Sequence, residues 1–368
     1  MKLIPYLRQN PDLTVAMLFA VVVSSLVPFS LTAMLDSVNV PLLGLLFCLM
    51  SIVAGLRQSG LFTYAYRLIF REHTTSRALG RFFIFSCFFS SMLITNDVSL
   101  IIFVPLAIMI LTEVRAIRLL IPVVTWQTIA ANMGSMLTPI GNPQNLFIYS
   151  YYGLSLHDFL LITFPIVLIS GIVIYLATFL LPDKEVILPP NDTAKITGRA
   201  VAPLLILFLL CLLNVLRIMP FGWLMLVVVP AIALLNRQLF REVDYKLLLL
   251  FTFLFIGVGS LARIPFFQSW PAQLLAGNEF MVSLVLSQIL SNVPTTVMLA
   301  QYTTASAPLL LGVNIGGLGT IIASMASVIS FKAYIGTRFP FTRGYLFSFT
   351  AANLSLLLIL LLYYYIVG

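Results

Sequence analysis

The strongest constraint on the fold is a series of nine uncharged, apolar stretches that follow one another along the chain. They run over residues 13–34, 38–56, 119–150, 159–182, 200–216, 218–236, 247–262, 306–331 and 344–366. An α-helix needs about 20 apolar residues to cross the roughly 30 Å hydrocarbon core of a bilayer. Only 9% of the residues are charged, whereas a soluble domain has about 25%, so these helices must present apolar surface to lipid. The sequence therefore predicts an all-α polytopic membrane protein with about nine transmembrane helices.

Two further apolar stretches, 82–111 and 280–301, are interrupted by polar residues near their midpoints. The interruptions are Thr95-Asn96-Asp97 in the first stretch and Ser291-Asn292-Val293-Pro294 in the second. We expect each arm to be about 10–15 residues long, which is too short to cross a bilayer. The pattern predicts two re-entrant hairpins, each of which enters and leaves the membrane on one side.

The distribution of Lys and Arg predicts the orientation in the membrane. With a cytoplasmic N-terminus and two hairpins that do not cross, only Arg217 and Arg263 of the 20 basic residues lie outside. Cytoplasmic loops of membrane proteins carry an excess of Lys and Arg. We therefore expect a cytoplasmic N-terminus and an external C-terminus, with the lipid bilayer as the surrounding partner.

The composition disfavours several other classes of function. The net charge is +8, but the basic residues lie in short loops and form no basic stripe, so we expect no nucleic-acid partner. The two histidines lie in different loops and the three cysteines are isolated, so no cofactor or metal cluster is predicted. Because the chain contains no Gly-x4-Gly-Lys-Ser/Thr motif, the direct energy source would be an ion gradient.

An internal repeat divides the chain into two copies. Residues 132–145 align without a gap with residues 314–327, and Asn, Gly, Thr and Ile recur at equivalent positions. The pattern predicts a first copy over 1–182 and a second over 218–368, joined by a cytoplasmic loop and linker helix over 183–217. An odd number of crossings between the copies turns the second one upside down. Inverted repeats with interrupted helices are typical of secondary transporters.

Each copy contains an interrupted helix, predicted over 119–150 and 306–331. Unpaired backbone groups are costly in hydrocarbon, so irregular backbone there lines a cavity or binds a ligand. Asn142 is predicted to cap a new helix that begins at Pro143. Four helix N-termini would converge at the breaks, and their partial positive charges suit an anion. These N-termini lie near Asp97, Pro143, Pro294 and Met325.

Oxygen atoms at the same breaks suit a cation such as Na⁺. The side chains that could supply them are Asn96, Asn142, Asn292, Thr138 and Thr320. Asp97 is the only charged residue within the predicted membrane-depth segments, and such residues mark ion or proton paths. A helix N-cap is its alternative role, compatible with the first. The Na⁺ ligands are predicted to come from Asn96, Asp97, Asn142 and Asn292.

Three motifs resemble those of the ion transporter superfamily. They are Thr95-Asn96-Asp97-Val98, Thr138-Pro-Ile-Gly141-Asn142-Pro-Gln-Asn145 and Ser291-Asn292-Val293-Pro294. The superfamily includes arsenite permeases, D-type sodium/proton antiporters, citrate–metal symporters and divalent-anion/sodium symporters, and the chain most resembles the short bacterial YbiR-type permeases. The resemblance implies a homodimer in the bacterial inner membrane, with a scaffold domain and a moving domain that holds both hairpins.

By position, the resemblance also implies that Gly141, Ser324 and Thr295 belong to the site. The full set of candidate substrate- and ion-binding residues is Thr95, Asn96, Asp97, Thr138, Gly141, Asn142, Asn145, Ser291, Asn292, Thr295, Thr320 and Ser324. The second copy departs from the family in having Ala323 where a glycine is usual, which favours a less open break there.

The resulting hypothesis is a secondary active permease of a small anion, coupled to Na⁺ or H⁺ and moving by an elevator-like mechanism. The alternative within transport is a Na⁺/H⁺ antiporter or an arsenite efflux permease centred on Asp97. An enzyme is disfavoured because Asp97 stands alone at membrane depth, and a structural scaffold has no evident need for two mirrored polar breaks.

Overall fold

The structure is a computed structural model that describes residues 11–61, 73–187, 198–266, 273–338 and 340–367. The first half contains α1 (Pro11–Ser25), α2 (Leu31–Ser37), α3 (Val40–Gln58), α4 (Ser76–Ile94), α5 (Asn96–Glu113), α6 (Leu120–Ser135), α7 (Pro143–Tyr151) and α8 (Leu156–Ala177). The second half contains α9 (Gly198–Val215), α10 (Phe221–Asn236), α11 (Tyr245–Leu261), α12 (Glu279–Leu290), α13 (Asn292–Ala300), α14 (Ser306–Ile315), α15 (Met325–Ile335) and α16 (Thr342–Val367). A short antiparallel pair, β1 (His73–Thr75) and β2 (Glu185–Ile187), is the one departure from helix and loop among the described residues.

The helical fold class is confirmed, and the described residues include six helices that are long and apolar enough to cross a membrane. Two of the six are α4 and α5, which form the first predicted hairpin. The prediction of short arms was wrong there, because α4 has 19 residues and α5 has 18. In the second hairpin the arms are short, with 12 residues in α12 and 9 in α13.

The first predicted span, 13–34, is not one helix. Helix α1 ends at Ser25 and α2 begins at Leu31. Pro28 removes a backbone donor and restricts the residue before it, and Ser30 caps α2 by accepting a hydrogen bond from Ala33 N at 3.3 Å. These two local preferences break the apolar stretch in spite of its hydrophobicity.

Both hairpins turn at a single residue with a rare backbone conformation. Thr95 joins α4 to α5 with φ 73° and ψ 150°, and Ser291 joins α12 to α13 with φ 73° and ψ 156°. This region of φ/ψ space is almost restricted to glycine and costs about 1–3 kcal/mol for other residues. The two hairpin tips therefore share one strained geometry, although their sequences differ.

The two interrupted helices also share their local structure. A 3₁₀ turn at Pro139–Gly141 separates α6 from α7, and a 3₁₀ turn at Ile321–Ala323 separates α14 from α15. Each turn ends in an extended N-cap residue, Asn142 in the first half and Ser324 in the second. The expectation of a less open break at Ala323 was wrong, because the backbone at Ser324 leaves the helical region completely.

The helices pack around two hydrophobic cores. The first core is formed mainly by α1, α3, α7, α9, α10, α11 and α13. The second is formed mainly by α4, α5, α6, α8, α12, α15 and α16, and α14 contributes to both. The halves exchange contacts, since α5 packs on α15 and α13 packs on α7. Large apolar side chains such as Phe29, Leu180 and Leu234 remain more than 80% exposed, as expected of a surface that faces lipid.

Contacts at the two ends of α8 fix the positions of the hairpins. At its C-terminal end, Arg77 at the start of the first hairpin donates to Leu181 O at 3.0 Å and pairs with Asp183 at 3.0 Å. Just before its N-terminal end, the Tyr152 hydroxyl lies 3.0 Å from Thr303 O, beyond the end of the second hairpin. A helix of 22 residues is about 33 Å long. The open ends of the two hairpins therefore lie at opposite ends of α8.

The contact between α4 and α6 depends on Gly134. A Cβ atom at this position would overlap the carbonyl oxygen of Phe88, and backbone cannot move away as a flexible side chain can. We expect Gly134→Ala to lower the melting temperature strongly or to prevent folding, since overpacking a core costs about 1–3 kcal/mol or more. Thermal unfolding of the detergent-purified protein measures this effect. Gly222→Ala is the matched control, because a Cβ there meets no atom within 4 Å; equal stability of both variants would contradict the prediction.

Candidate functional site

A cavity of about 370 Å³ lies where the first hairpin tip meets both helix breaks. Its wall includes Thr95 and Asp97 of the tip, Pro143 at the start of α7 and Met325 at the start of α15. Apolar side chains from α3, α5 and α15 cover much of the remaining wall. Three of the four predicted helix N-termini thus border one cavity, whereas the fourth, near Pro294, does not line it.

This arrangement can bind opposite charges at adjacent points. The N-termini of α7 and α15 border the cavity at Pro143 and Met325, and the partial positive charge of a helix N-terminus favours an anion. Asp97, in the first turn of α5, brings a carboxylate to the same wall, which favours a cation or a proton. Such a site suits an anion that binds together with a cation.

Charged residues at the rim of the cavity were missed by the sequence analysis. Arg57, Lys246 and Lys332 line it together with two acidic residues, Glu242 and Asp244. Counting Asp97, the wall carries three basic and three acidic side chains, so it has no net charge when all are ionised. All five rim residues lie at ends of spans that the positive-inside pattern assigns to the cytoplasm, and this shared side was the signal that could have grouped them.

One rim contact is a direct ion pair. Arg57 Nη2 donates to Glu242 Oε2 at 2.6 Å. Both side chains are about one-third exposed, so water screens the pair and its contribution to stability is small. Its geometric effect is to join the end of α3 to the 3₁₀ turn at Arg237–Glu242.

Behind the cavity, Asn132 connects the two halves. Its Oδ1 accepts from Asn96 Nδ2 at 3.2 Å and from Ser324 Oγ at 3.0 Å. Asn96 belongs to the first hairpin, and Ser324 is the N-cap residue of α15 in the second half. Asn96 Oδ1 in turn accepts from Asp97 N at 2.9 Å. A buried amide on α6 therefore ties the first hairpin tip to the second break.

The equivalent residue of the second half, Asn314, makes the reciprocal connection. Its Oδ1 accepts from Asn142 Nδ2 at 3.0 Å, and its Nδ2 donates to Asn145 Oδ1 at 2.7 Å. Asn142 Oδ1 also accepts from Asn145 N at 2.9 Å, so it caps α7 as predicted. Each copy thus reaches into the break of the other through one asparagine.

Backbone carbonyls at the first break are satisfied by Asn145. Its Nδ2 donates to the carbonyl oxygens of Ser135, Met136 and Thr138, each at 3.2 Å. These groups lie in an apolar interior, where an unpaired carbonyl costs several kcal/mol. Asn145 is therefore a structural brace, although the sequence pattern placed it among the binding residues.

The second break is braced by a different residue, Gln288 of α12. Its Nε2 donates to the carbonyl oxygens of Gly316 and Leu318, both at 2.6 Å, and its Oε1 accepts from Thr320 N at 3.0 Å. Gln288 was missed by the sequence analysis because it lies in the apolar arm of the hairpin, and the repeat offers no signal for it. The position equivalent to Gln288 in the first hairpin is Met92.

The remaining candidate residues lie near the breaks but do not line the cavity. Thr138 and Thr320 occupy equivalent places, since Thr138 Oγ1 donates to Met92 O and Thr320 Oγ1 donates to Gln288 O. Gly141 packs directly against the backbone of Ser135. The others are in the second hairpin, namely Ser291, Asn292 and Thr295.

The four predicted Na⁺ ligands therefore differ in position. Asp97 lines the cavity, whereas Asn142 uses both ends of its amide within the protein. Asn292 Oδ1 accepts from Val293 N at 2.9 Å, as Asn96 does from Asp97 N. Of the predicted ligands, Asp97 is the one that lines this cavity.

Apolar helices long enough to span a membrane, arranged around a cavity at broken helices with charged residues in its wall, are typical of a membrane transport protein. Comparison with known proteins names the family. The citrate transporter family model matches residues 9–313, and the chain belongs to that family.

Similar proteins include transporters from several kinds of organism. The chain is 33% identical over 291 residues to the inner membrane protein YbiR of Escherichia coli, covering 77% of each chain. It is 35% identical over 295 residues to the uncharacterized transporter MJ0456 of Methanocaldococcus jannaschii, covering 78% of this chain and 79% of the relative. A shorter match, 33% over 134 residues, is to the silicon efflux transporter LSI3 of Oryza sativa, covering 36% of this chain and 27% of the relative.

The two braces predict a rescue experiment. Asn145→Ser should destabilise the protein because it leaves the carbonyls of the first break unpaired, at a cost of about 1–3 kcal/mol for each buried group. Adding Met92→Gln places an amide beside the first break, at the position equivalent to the Gln288 amide that braces the second break. We expect this double variant to recover part of the lost melting temperature. Met92→Gln alone is the control, and we expect it to give no gain. Equal melting temperatures for the single variant Asn145→Ser and the double variant would contradict the prediction.

Proposed function

We propose that this protein is a secondary active transporter of a small anion, coupled to Na⁺ or H⁺. The observation that carries the proposal is the convergence of Asp97 with the N-termini of α7 and α15 at one cavity. Helix N-termini bind anions, and a carboxylate at membrane depth binds a cation or a proton. The cation offsets the charge of the anion, and neither ion then has to leave water as an unpaired charge.

The proposed movement is elevator-like. The hairpins and interrupted helices form the moving unit, and helices of the first core, such as α3 and α11, form part of the scaffold. Two observations support an inverted arrangement of two re-entrant hairpins: their tips share one backbone conformation, and their open ends lie at opposite ends of α8. The cavity is bordered by both parts, so displacement of one part relative to the other would close it and could open a route on the opposite side.

The proposed orientation has the cavity open towards the cytoplasm. The charged rim residues, including Arg57 and Lys332, follow spans whose ends are cytoplasmic by the positive-inside rule. On this orientation the described conformation is inward-facing. The rim also brings basic side chains close to the entry of an anion, which favours its capture from water.

Asp97→Asn tests the coupling. In proteoliposomes that contain a pH-sensitive dye, uptake of citrate driven by a Na⁺ or proton gradient should fall at least about tenfold, because the neutral amide neither binds the cation as tightly nor carries a proton. Asp158→Asn is the matched control, since Asp158 is also in the first turn of a helix but is exposed. Wild-type flux from a folded Asp97→Asn variant would remove this residue from the mechanism.

The same vesicles separate the proposal from its alternative, a Na⁺/H⁺ antiporter. Asp97 at the cavity wall is the observation that favours this second candidate. In antiport, a Na⁺ gradient moves protons even when no anion is present. In symport, the coupling ion moves only when the anion is present. Anion-independent exchange in the wild type would therefore replace the first proposal with the second. Arsenite in place of citrate tests the efflux version.

Cysteine labelling tests the alternating exposure of the hairpin tips. In a chain without its three native cysteines, Thr95→Cys should react from the cytoplasmic side in the described conformation, because Thr95 lines the cavity. Ser291→Cys should become reactive from the outside when a substrate gradient drives the opposite conformation. His157→Cys, at an exposed position, is the control that reacts from one side under all conditions. Labelling of both tips from the same side only, whatever the gradient, would contradict alternating access.

A further inference from the structure

Two polar atoms near the second break are buried without a hydrogen-bond partner. They are Asn132 Nδ2 and Ser327 Oγ, on residues that are 5% and 0% exposed respectively. Burying an unpaired polar group costs about 1–3 kcal/mol, and such groups in a folded protein call for a ligand or a water. The amide of Asn132 has a fixed orientation, because its Oδ1 accepts from both Asn96 and Ser324.

The first break shows which hydrogen-bond acceptor is absent beside Asn132 at the second break. There the amide of Asn314 donates from Nδ2 to Asn145 Oδ1 at 2.7 Å. Asn132 is equivalent to Asn314, and Ser327 is equivalent to Asn145 in the aligned repeat. The shorter serine side chain does not provide the amide oxygen that Asn145 provides. Asn132 Nδ2 is therefore the donor of the hydrogen bond equivalent to that between Asn314 and Asn145. Its acceptor oxygen is lacking because residue 327 is a serine.

Helix α15, which begins at the second break, also lacks a hydrogen bond to its N-cap side chain. Ser324 makes no capping hydrogen bond to α15, because its hydroxyl donates across to Asn132. In α7, by contrast, Asn142 accepts from the first-turn N–H of Asn145. In α15 the equivalent N–H, that of Ser327, donates to the backbone carbonyl of Ser324 at 3.1 Å, so no side-chain oxygen offsets the partial positive charge at this helix end.

We propose that Asn132, Ser327 and the first turn of α15 form a subsite for one oxygen of the transported anion. This inference rests on the proposed function and adds residues that lie behind the cavity. The donors are an amide N–H, a hydroxyl and helix N-terminal N–H groups, a set that matches a carboxylate or oxyanion oxygen. The first break has no such subsite, because Asn145 Oδ1 occupies the equivalent position.

Access to the subsite requires a small movement. Met325 borders the cavity, and it follows Ser324 directly in the first turn of α15, so the subsite adjoins the cavity wall along the chain. In the described conformation the two unpaired atoms have no contact with solvent. Displacement of the first turn of α15 would connect them to the cavity and let an oxygen of the anion accept from Asn132 Nδ2 and from the Ser327 hydroxyl.

Ser327→Asn tests the subsite by supplying the absent oxygen from the protein itself. The probes are citrate, succinate and inorganic phosphate, each titrated alone against the purified full-length protein by thermal shift and by isothermal calorimetry. We expect Ser327→Asn to raise the melting temperature without ligand, by roughly 1–3 °C for one added buried hydrogen bond, and to weaken anion binding at least about tenfold.

A second variant keeps the test decisive if Ser327→Asn does not fold. Ser327→Ala removes one donor with little change in volume and should weaken anion binding about 2- to 10-fold. Ser330→Ala is the matched control one turn further along α15, where the hydroxyl donates to Ala326 O of its own helix at 3.2 Å; we expect no change in affinity.

The outcomes separate this inference from the function on which it rests. Anion binding by the wild type that is unchanged in both Ser327 variants overturns the subsite and leaves anion transport standing. In that case, a higher melting temperature in Ser327→Asn would indicate that a retained water, and not the anion, is the acceptor for Asn132 Nδ2 in the wild type. A wild type that binds none of the three anions overturns the subsite and anion transport together.

Discussion

The structure depends on how the backbone groups freed at its broken helices find hydrogen-bond partners in an apolar interior. A continuous helix satisfies its own carbonyls, but each break exposes several of them where no water is available, at a cost of several kcal/mol per group. Asn145 meets this demand at the first break with three hydrogen bonds, and Gln288 meets it at the second. Because an amide donates two hydrogens and accepts at its oxygen, one side chain can hold a whole turn of irregular backbone. The cavity between the breaks exists because the breaks can be stabilised in this way.

The use of different braces makes two copies of one unit chemically unequal. In the first half the brace comes from the helix after the break, and its oxygen also accepts from Asn314 across the interface between the halves. In the second half the brace comes from the hairpin, so the position after the break is free to be a serine, Ser327. The same backbone therefore carries a closed polar network on one side and an incomplete one on the other. A transported ion has to be bound and then released, and an incomplete network suits this requirement better than a closed one.

The class of fold and the location of both breaks could be predicted from the sequence, because apolar length, Gly, Pro and Asn act locally. Asn142 as the cap of α7 is such a case, and it is confirmed. Hairpin arm lengths were less predictable, because Arg77 and Arg81 extend α4 beyond the uncharged stretch while contacting residues after α8. The rim residues of the cavity and the brace Gln288 depend on contacts between distant segments. No periodicity or local motif reports such contacts, which arise only when the halves pack together.

The two hairpin tips share a backbone conformation but differ in the side chains that follow it. Thr95 and Ser291 hold nearly the same strained conformation, so the strain is a property of the repeated backbone. The residue two positions after each tip differs, since Asp97 in the first hairpin is replaced by Val293 in the second. In the proposed mechanism, the backbone shared by the two hairpins makes the inward- and outward-facing conformations similar in energy. The carboxylate of Asp97, which the second hairpin lacks, makes the cation bind at the first hairpin. Alternating access then follows from what the copies have in common, and coupling follows from what distinguishes them.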